Sequence, residues 1–338
     1  MRRRVPLSLL LGAAALASCG PDQVSSPTDS PKPELANGDA LPVLSTAKVG
    51  ESGSFTLPEA AQNFNITLRF VNPVTADQMK AFTVAADRWE GLIHGDEEDV
   101  QGSFPRNACG NSFRMPAFSG VIDDVLINVL LQRIDGPGNV LGAAGACFFR
   151  TEDGIPVFGL MFFDVDDLAF LETNNLLDEV IVHEMGHVLG FSGFFFNRAG
   201  LLLNPNTTDP RFLGNLAIGK YHMLGGTLET VPIEGVGGRC GAGTANSHWD
   251  EGSFFNELMT GFINGASSNF INPMSPMTSG ALHDLGYNAA PQGEDYVLRI
   301  SPNDPCPPPA PLTNAVAKDG LAIAAHEIVI SPVGRLTK

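Results

Sequence analysis

Three features of the sequence predict an α+β fold. They are an alternating strand running into an amphipathic helix, a group of apolar strand candidates, and a later helix that is apolar almost all round. Phe64–Phe70 alternates apolar and polar residues strictly, as a half-buried strand does. Thr75 then opens a helix as its N-cap, with Gln78 placed to complete a capping box. Met79, Phe82, Ala86, Trp89 and Ile93 repeat at helical spacing, with Gly95 as the expected stop and Trp89 as a core residue. Val121–Ile134 and Pro156–Phe163 read as buried strands, and Leu141–Phe149 as a weaker, glycine-bearing one between them. Strand, helix, several strands and a further helix is an α+β order. Asp164, Asp166 and Asp167 fall where loop and cap residues belong, and the acidic run Asp96–Asp99 reads as a solvated loop.

That further helix, Leu176–Phe191, organises the rest. It contains His183-Glu184-Met185-Gly186-His187 among Val180, Ile181, Val182, Val188 and Leu189. Two histidines four positions apart share one helix face, so both rings can reach one metal ion, while Glu184 stands one step round as a proton acceptor. A helix this apolar is buried, and burying two imidazoles and a carboxylate without partners is costly. The pattern therefore predicts a metal centre with His183 and His187 as ligands.

A catalytic zinc usually takes three protein ligands. Gly190 allows a sharp turn after the helix, but position 193, where a HExxHxxGxxH protein has its third histidine, is Gly193. The third ligand must come from further on: His222, His248, His283 or a glutamate. Between 192 and about 246 regular signals thin out, with a short helix expected over Ala217–Leu224. Ser247-His248-Trp249 and Glu257-Leu258-Met259 follow. Ser275-Pro276 begins a last helix as N-cap and first-turn proline, Gly286 ends it, and His283 is expected on its surface. Beyond Asn288 come the proline-rich Pro305–Pro311 and a strand or two over Gly320–Val333. His326-Glu327 does not repeat the metal motif, because position 330 is Ile.

The chain has 338 residues, 43% of them hydrophobic, enough for a real core. Arg2-Arg3-Arg4, the apolar Leu7–Ala17 and small residues after it make an export signal too short to span a membrane. Leu16-Ala17-Ser18-Cys19 looks like a bacterial lipobox, with Cys19 as the lipid attachment site. The expected organisation is a lipoprotein signal peptide over 1–19, a flexible tether over 20–60, a catalytic domain over 61–288 and a proline-rich C-terminal extension over 289–338. Removing the signal takes away three arginines and no acid, leaving a net charge of −20. Such a surface repels phosphate backbones, which argues against nucleic acid as a partner. With Cys19 lipidated, Cys109, Cys147, Cys240 and Cys306 are an even set in an exported chain, pointing to two disulfides of undetermined pairing.

The segment Phe64–Tyr287 resembles the leishmanolysin-like zinc metallopeptidases of the metzincin clan, in their bacterial form. The likeness is carried by the HExxH helix, a long insertion, His248-Trp249, the Glu257-Leu258-Met259 run eleven residues beyond His248, and His283-Asp284-Leu285-Gly286-Tyr287. It implies a metzincin-like zincin fold: a twisted mixed sheet, an active-site helix and a loop-rich C-terminal subdomain. It also implies that His248 is the third zinc ligand and Met259 the Met-turn residue beneath the metal. A glutamate ligand is the runner-up, with Glu257 the nearest candidate although it falls inside the Met-turn motif. Leishmanolysin has many more cysteines than this chain, so its disulfide scheme does not transfer.

The function expected is zinc-dependent endopeptidase action on proteins or peptides, with a metal-activated water and Glu184 as general base. Thr260–Ile263 are expected to form one wall of the substrate pocket. The chain is expected to be a monomer, exported and lipid-anchored to the bacterial cell envelope. Two rival expectations are an anchored binding or adhesion protein with a silent peptidase site, and a zinc hydrolase acting on cell-wall or small amide substrates.

Overall fold

A computed structural model of the chain describes residues 43–45, 63–237, 245–265, 272–299 and 320–336. The first half runs β1 (Val43–Ser45), β2 (Ile66–Phe70), α1 (Ala76–Glu90), β3 (Val100–Phe104), β4 (Phe118–Ile122), β5 (Val125–Gln132), β6 (Gly142–Arg150) and β7 (Pro156–Asp164). Helices α2 (Val165–Thr173), α3 (Leu177–Val188) and α4 (Gly193–Arg198) follow, then β8 (Leu202–Leu203), β9 (Arg211–Phe212), α5 (Asn215–Met223), β10 (Val231–Pro232) and α6 (Glu251–Phe254). The remainder is β11 (Ile263–Asn264), α7 (Pro276–Leu285), β12 (Gly320–Leu321), β13 (Glu327–Val329) and β14 (Gly334–Leu336).

The central sheet is mixed, in the order β1-β2-β5-β7-β6-β13, with β14 also on β6. β2, β5 and β7 are parallel, whereas β6 runs antiparallel to β7 and forms that side of the sheet. β5 and β7 are buried on both faces, which is why they read as continuous apolar runs rather than alternating ones. α1 and α3 cover one face through Phe82, Trp89, Val180, Ile181 and Val188. The other face packs under the β3–β4 hairpin, where Phe104 stacks on Phe158 with ring centroids 4.0 Å apart. A disulfide joins Cys109 to Cys147 on that side. Cys240 and Cys306 lie outside the described residues.

Several expectations hold in detail. The Thr75–Gln78 capping box forms. Trp89 is fully buried and donates its indole N–H to the Val182 carbonyl at 2.8 Å. Asp164 caps α2, and Ser275 caps α7 with Pro276 in its first turn. Others need correction. α1 stops at Gly91 rather than Gly95, and the next residues pair with 288–290 instead: the His94 N–H donates to the Asn288 carbonyl at 2.8 Å and the Ala290 N–H to the Leu92 carbonyl at 2.6 Å. Val121–Ile134 is not one strand. It breaks at Asp123-Asp124, where the buried Asp124 carboxylate turns inward to accept the N–H groups of Asn65 at 2.6 Å and Glu97 at 2.5 Å.

Two segments outside the span expected for the catalytic domain pair with it. Val43–Ser45, within the expected tether, runs antiparallel along β2. From the expected extension, β12 pairs with β11 while β13 and β14 pair with β6. In each case the strand satisfies backbone N–H and C=O groups that an open sheet edge would leave exposed.

Candidate metal centre

α3 is buried from Val180 to Val188, including His183, Glu184 and His187. It lies so close to its neighbours that a side chain on Gly186 has no room: a β-carbon there would fall 2.7 Å from the Met259 sulfur and 2.9 Å from Trp89. The helix ends into Gly190 at φ +97°, a backbone conformation that glycine adopts without strain. The turn brings the Phe191 carbonyl back to the helix, where it accepts a hydrogen bond from His187 Nδ1 at 2.6 Å. Gly193, with no ligand to offer, opens α4 and donates its N–H to Ser247 Oγ at 3.1 Å.

That contact helps to bring the chain back after its long excursion. The Glu234 N–H donates to the His248 carbonyl at 2.9 Å, and the Trp249 N–H to the Met259 carbonyl at 2.9 Å. The Trp249 indole N–H donates to Thr278 Oγ1 at 2.9 Å on α7. His248 is thus fixed between the returning loop and the Leu258-Met259 turn, and it is fully buried. Leu258 contributes directly, its carbonyl accepting from His183 Nδ1 at 2.7 Å.

The three Nε2 atoms converge. His183 and His187 are 3.2 Å apart, His183 and His248 3.2 Å, and His187 and His248 3.1 Å. A hydrogen bond does not account for the His183–His187 side of this triangle: an imidazole that donates Nδ1–H to a carbonyl, as both of these do, has in its uncharged form no proton left on Nε2. Burial pushes the His187 imidazole down to about 3, so that ring is neutral. Ligands about 2.0–2.1 Å from a tetrahedral ion stand roughly 3.3 Å apart, so the triangle fits a single zinc-sized cation.

A fourth donor completes the group, and it was not anticipated. Glu327 on β13 brings Oε1 to 2.7 Å from His248 Nε2 and Oε2 to 3.2 Å from His183 Nε2. His183, His187, His248 and Glu327 form a buried cluster with the donor set of a metal site. Apart from the histidine rings themselves, neither buried Glu327 oxygen has a hydrogen-bond donor among the described residues, a state that a bound cation relieves. Burial raises the Glu327 carboxyl; charged imidazoles around it would draw it well below the usual carboxylate range, and a cation held by uncharged rings would act in the same direction. Glu184 stands beside the cluster, raised well above that range by burial and then by the Glu327 charge.

The other candidates lie elsewhere. Glu257, the alternative ligand, is buried away from the cluster; it accepts from the Met259 N–H at 2.6 Å, the Ser275 N–H at 3.0 Å, Ser275 Oγ at 2.8 Å and Thr278 Oγ1. It anchors the Met259 turn to α7. His222 is exposed and bonds the Leu228 carbonyl, and His283 is exposed on α7. Met259 is buried under α3. Thr260–Ile263 are buried too, but β12 already pairs with Ile263. Cys19 lies outside the described residues. Among the described residues no helix is long and apolar enough to cross a membrane.

Fold and site together define an α+β protein built round a buried three-histidine, one-glutamate centre. The family model for leishmanolysin, Peptidase_M8, matches residues 97–306. The chain belongs to the leishmanolysin family. It is 31% identical to leishmanolysin of Leishmania donovani over 216 residues, covering 60% of this chain and 32% of that protein. Over 162 residues it is 31% identical to leishmanolysin of Leishmania major, covering 46% of this chain and 25% of that protein. The chain therefore spans about a third or less of the length of these curated relatives.

Proposed function

We propose that the protein is a zinc-dependent endopeptidase of metzincin-like architecture, with His183, His187 and His248 holding the metal and Glu184 as general base. The observation that carries this reading is the convergence of three buried Nε2 atoms to within 3.1–3.2 Å of one another. Membership of a family whose curated relatives carry the name of a peptidase supports it.

When bound, zinc supplies a Lewis acid that polarises a scissile carbonyl and makes a water acidic near neutral pH. The chain supplies everything else. The carbonyls of Leu258 and Phe191 hold two rings in the tautomer that leaves Nε2 free to ligate. Glu184 takes the proton of the attacking water and returns it to the leaving amine. Its burial favours the protonated form, which suits the second half of that exchange.

Glu184→Gln tests the assignment. The variant should keep its zinc and cleave an unstructured peptide about 10²-fold or more slowly. A variant that cleaves at the wild-type rate would remove Glu184 from the mechanism. A second reading, an anchored binding protein with a silent peptidase site, draws on Glu327 lying against all three histidines. Cleavage of any member of a broad peptide panel by the wild type would end it. Export and lipid attachment at Cys19 belong to the proposal as well, supported by Arg2–Arg4 and the Leu16–Cys19 run. Incorporation of labelled fatty acid, lost in Cys19→Ser, tests that part.

A further inference from the structure

We propose that Gly320–Leu336 is a self-inhibitory strap that lies across the peptide-binding cleft and delivers Glu327 as a fourth ligand to the three-histidine centre. This deepens the peptidase reading and rests on it.

The strap is held at two places on either side of the cluster. Its first strand, β12, pairs Leu321 with Ile263 and Gly320 with Asn264, and Ala322 packs on Phe262. This covers the stretch just after Met259 that the sequence marks as a pocket wall. Its second strand, β13, adds in parallel to β6, pairing Glu327, Ile328 and Val329 with Gly142, Ala143 and Ala144. The Leu141 N–H donates to the His326 carbonyl at 2.6 Å, the Ile330 N–H to the Ala144 carbonyl at 2.6 Å, and the Val333 N–H to the Cys147 carbonyl at 2.8 Å. Without the strap β6 is the sheet edge nearest the cluster, and an open edge is a template on which another extended chain can add. The fit is close: a β-carbon on Gly145 would fall 2.2 Å from the Ile330 carbonyl oxygen.

From the start of the second anchor Glu327 enters the centre. A carboxylate within 2.7 Å of His248 Nε2 and 3.2 Å of His183 Nε2 stands where a fourth ligand belongs. It leaves no room there for a water or a substrate carbonyl. The three histidines and Glu327 are buried, while Ile328 beside Glu327 faces solvent. The strap thus closes both parts of a peptidase site, the metal's open position and the strand edge. Turnover requires it to leave.

The test uses the full chain loaded with zinc, as wild type, Glu327→Ala and Ile330→Pro. The first variant removes the ligand, and the second removes the N–H that ties the strap to Ala144. Two quantities are read: kcat/KM on an unstructured fluorogenic peptide, and amide hydrogen exchange at Leu141 and Val333. Both variants should raise kcat/KM by at least about tenfold, the factor expected when a strap closed nine-tenths of the time is released. Both should lose protection at Leu141 and Val333. Removing zinc should loosen those amides in the wild type but not in Glu327→Ala, which a merely structural strand would not do. An active wild type whose kcat/KM is unchanged by both substitutions overturns the strap. So does exchange that is the same with and without zinc. If none of the three proteins cleaves any peptide while the zinc-linked protection is present, the strap stands and the peptidase reading fails.

Discussion

The carbonyl of Leu258 accepts a hydrogen bond from Nδ1 of His183 at 2.7 Å, which joins the turn before Met259 to the first histidine of the cluster. Leu258 is held in turn by Glu257, whose buried carboxylate gathers the N–H of Met259 with the hydroxyls of Ser275 and Thr278. A histidine on α3 is thereby oriented by way of the capping residue of α7. Glu257→Ala strands several buried donors at once and should cost about 2–4 kcal/mol of stability. It should also weaken zinc binding without removing a ligand, by about 10–100-fold. Chemical unfolding together with competition against a zinc indicator measures both. Unchanged zinc affinity would separate Glu257 from the site.

Arg88 ties three segments together. Its guanidinium reaches Glu179 on α3 at 3.2 Å, Glu294 at 2.6 Å and the Asn272 carbonyl at 2.7 Å. Arg88→Met keeps the aliphatic stem and removes these charged hydrogen bonds, at an expected cost of about 1.5–3 kcal/mol. Denaturant unfolding at fixed zinc reads it, and a change below about 0.5 kcal/mol would match an ordinary surface substitution instead.

The Cys109–Cys147 bridge closes a loop of sequence separation 38 beside the β3–β4 hairpin. On the chain-entropy estimate its loss raises the freedom of the unfolded state by about 4 kcal/mol. Replacing both cysteines by serine should lower the unfolding midpoint markedly. It should leave metal content unchanged, because the bridge lies on the sheet face opposite α3.

Asp124 sets a pH dependence. Burial is the largest cause that raises its carboxyl, and the N–H groups of Glu97 and Asn65 only partly offset it, leaving the group at about 7. In the unfolded chain it titrates near 3.9. Between those values the folded state binds more protons than the unfolded one, so this group's contribution to stability falls as pH rises and levels off above about 7. Asp124→Asn has no such group to titrate. The melting temperature of the wild type relative to that variant should therefore drop between pH 5 and pH 7.5. A difference that is flat or rising over that window would contradict the assignment.

Much of this architecture could be read in the sequence because local rules decide it. The Thr75–Gln78 box, the Ser275-Pro276 start of α7, the turn at Gly190 and the apolar β5 and β7 each follow from a few neighbouring residues. His183 and His187 share a face by helical periodicity alone. His248 was reachable only through the His-Trp and Glu-Leu-Met pattern, since no local rule spans the excursion from α3. Glu327 had no such signal. Its approach depends on β13 finding the edge of β6, a long-range pairing of three residues with weak local preference. The ends of α1 and β4 depend on partners distant in sequence for a related reason: the 288–290 backbone pairs with Leu92 and His94, and the Asn65 N–H holds the Asp124 side chain.

The central claim is that three imidazoles from two distant parts of the chain hold one zinc ion. Zinc content of the dialysed wild type beside His248→Ala tests it most directly, and the result does not depend on whether the strap is open. The account predicts about one zinc per wild-type chain and a large loss in the variant. Equal zinc in both proteins, or none in the wild type, would contradict it.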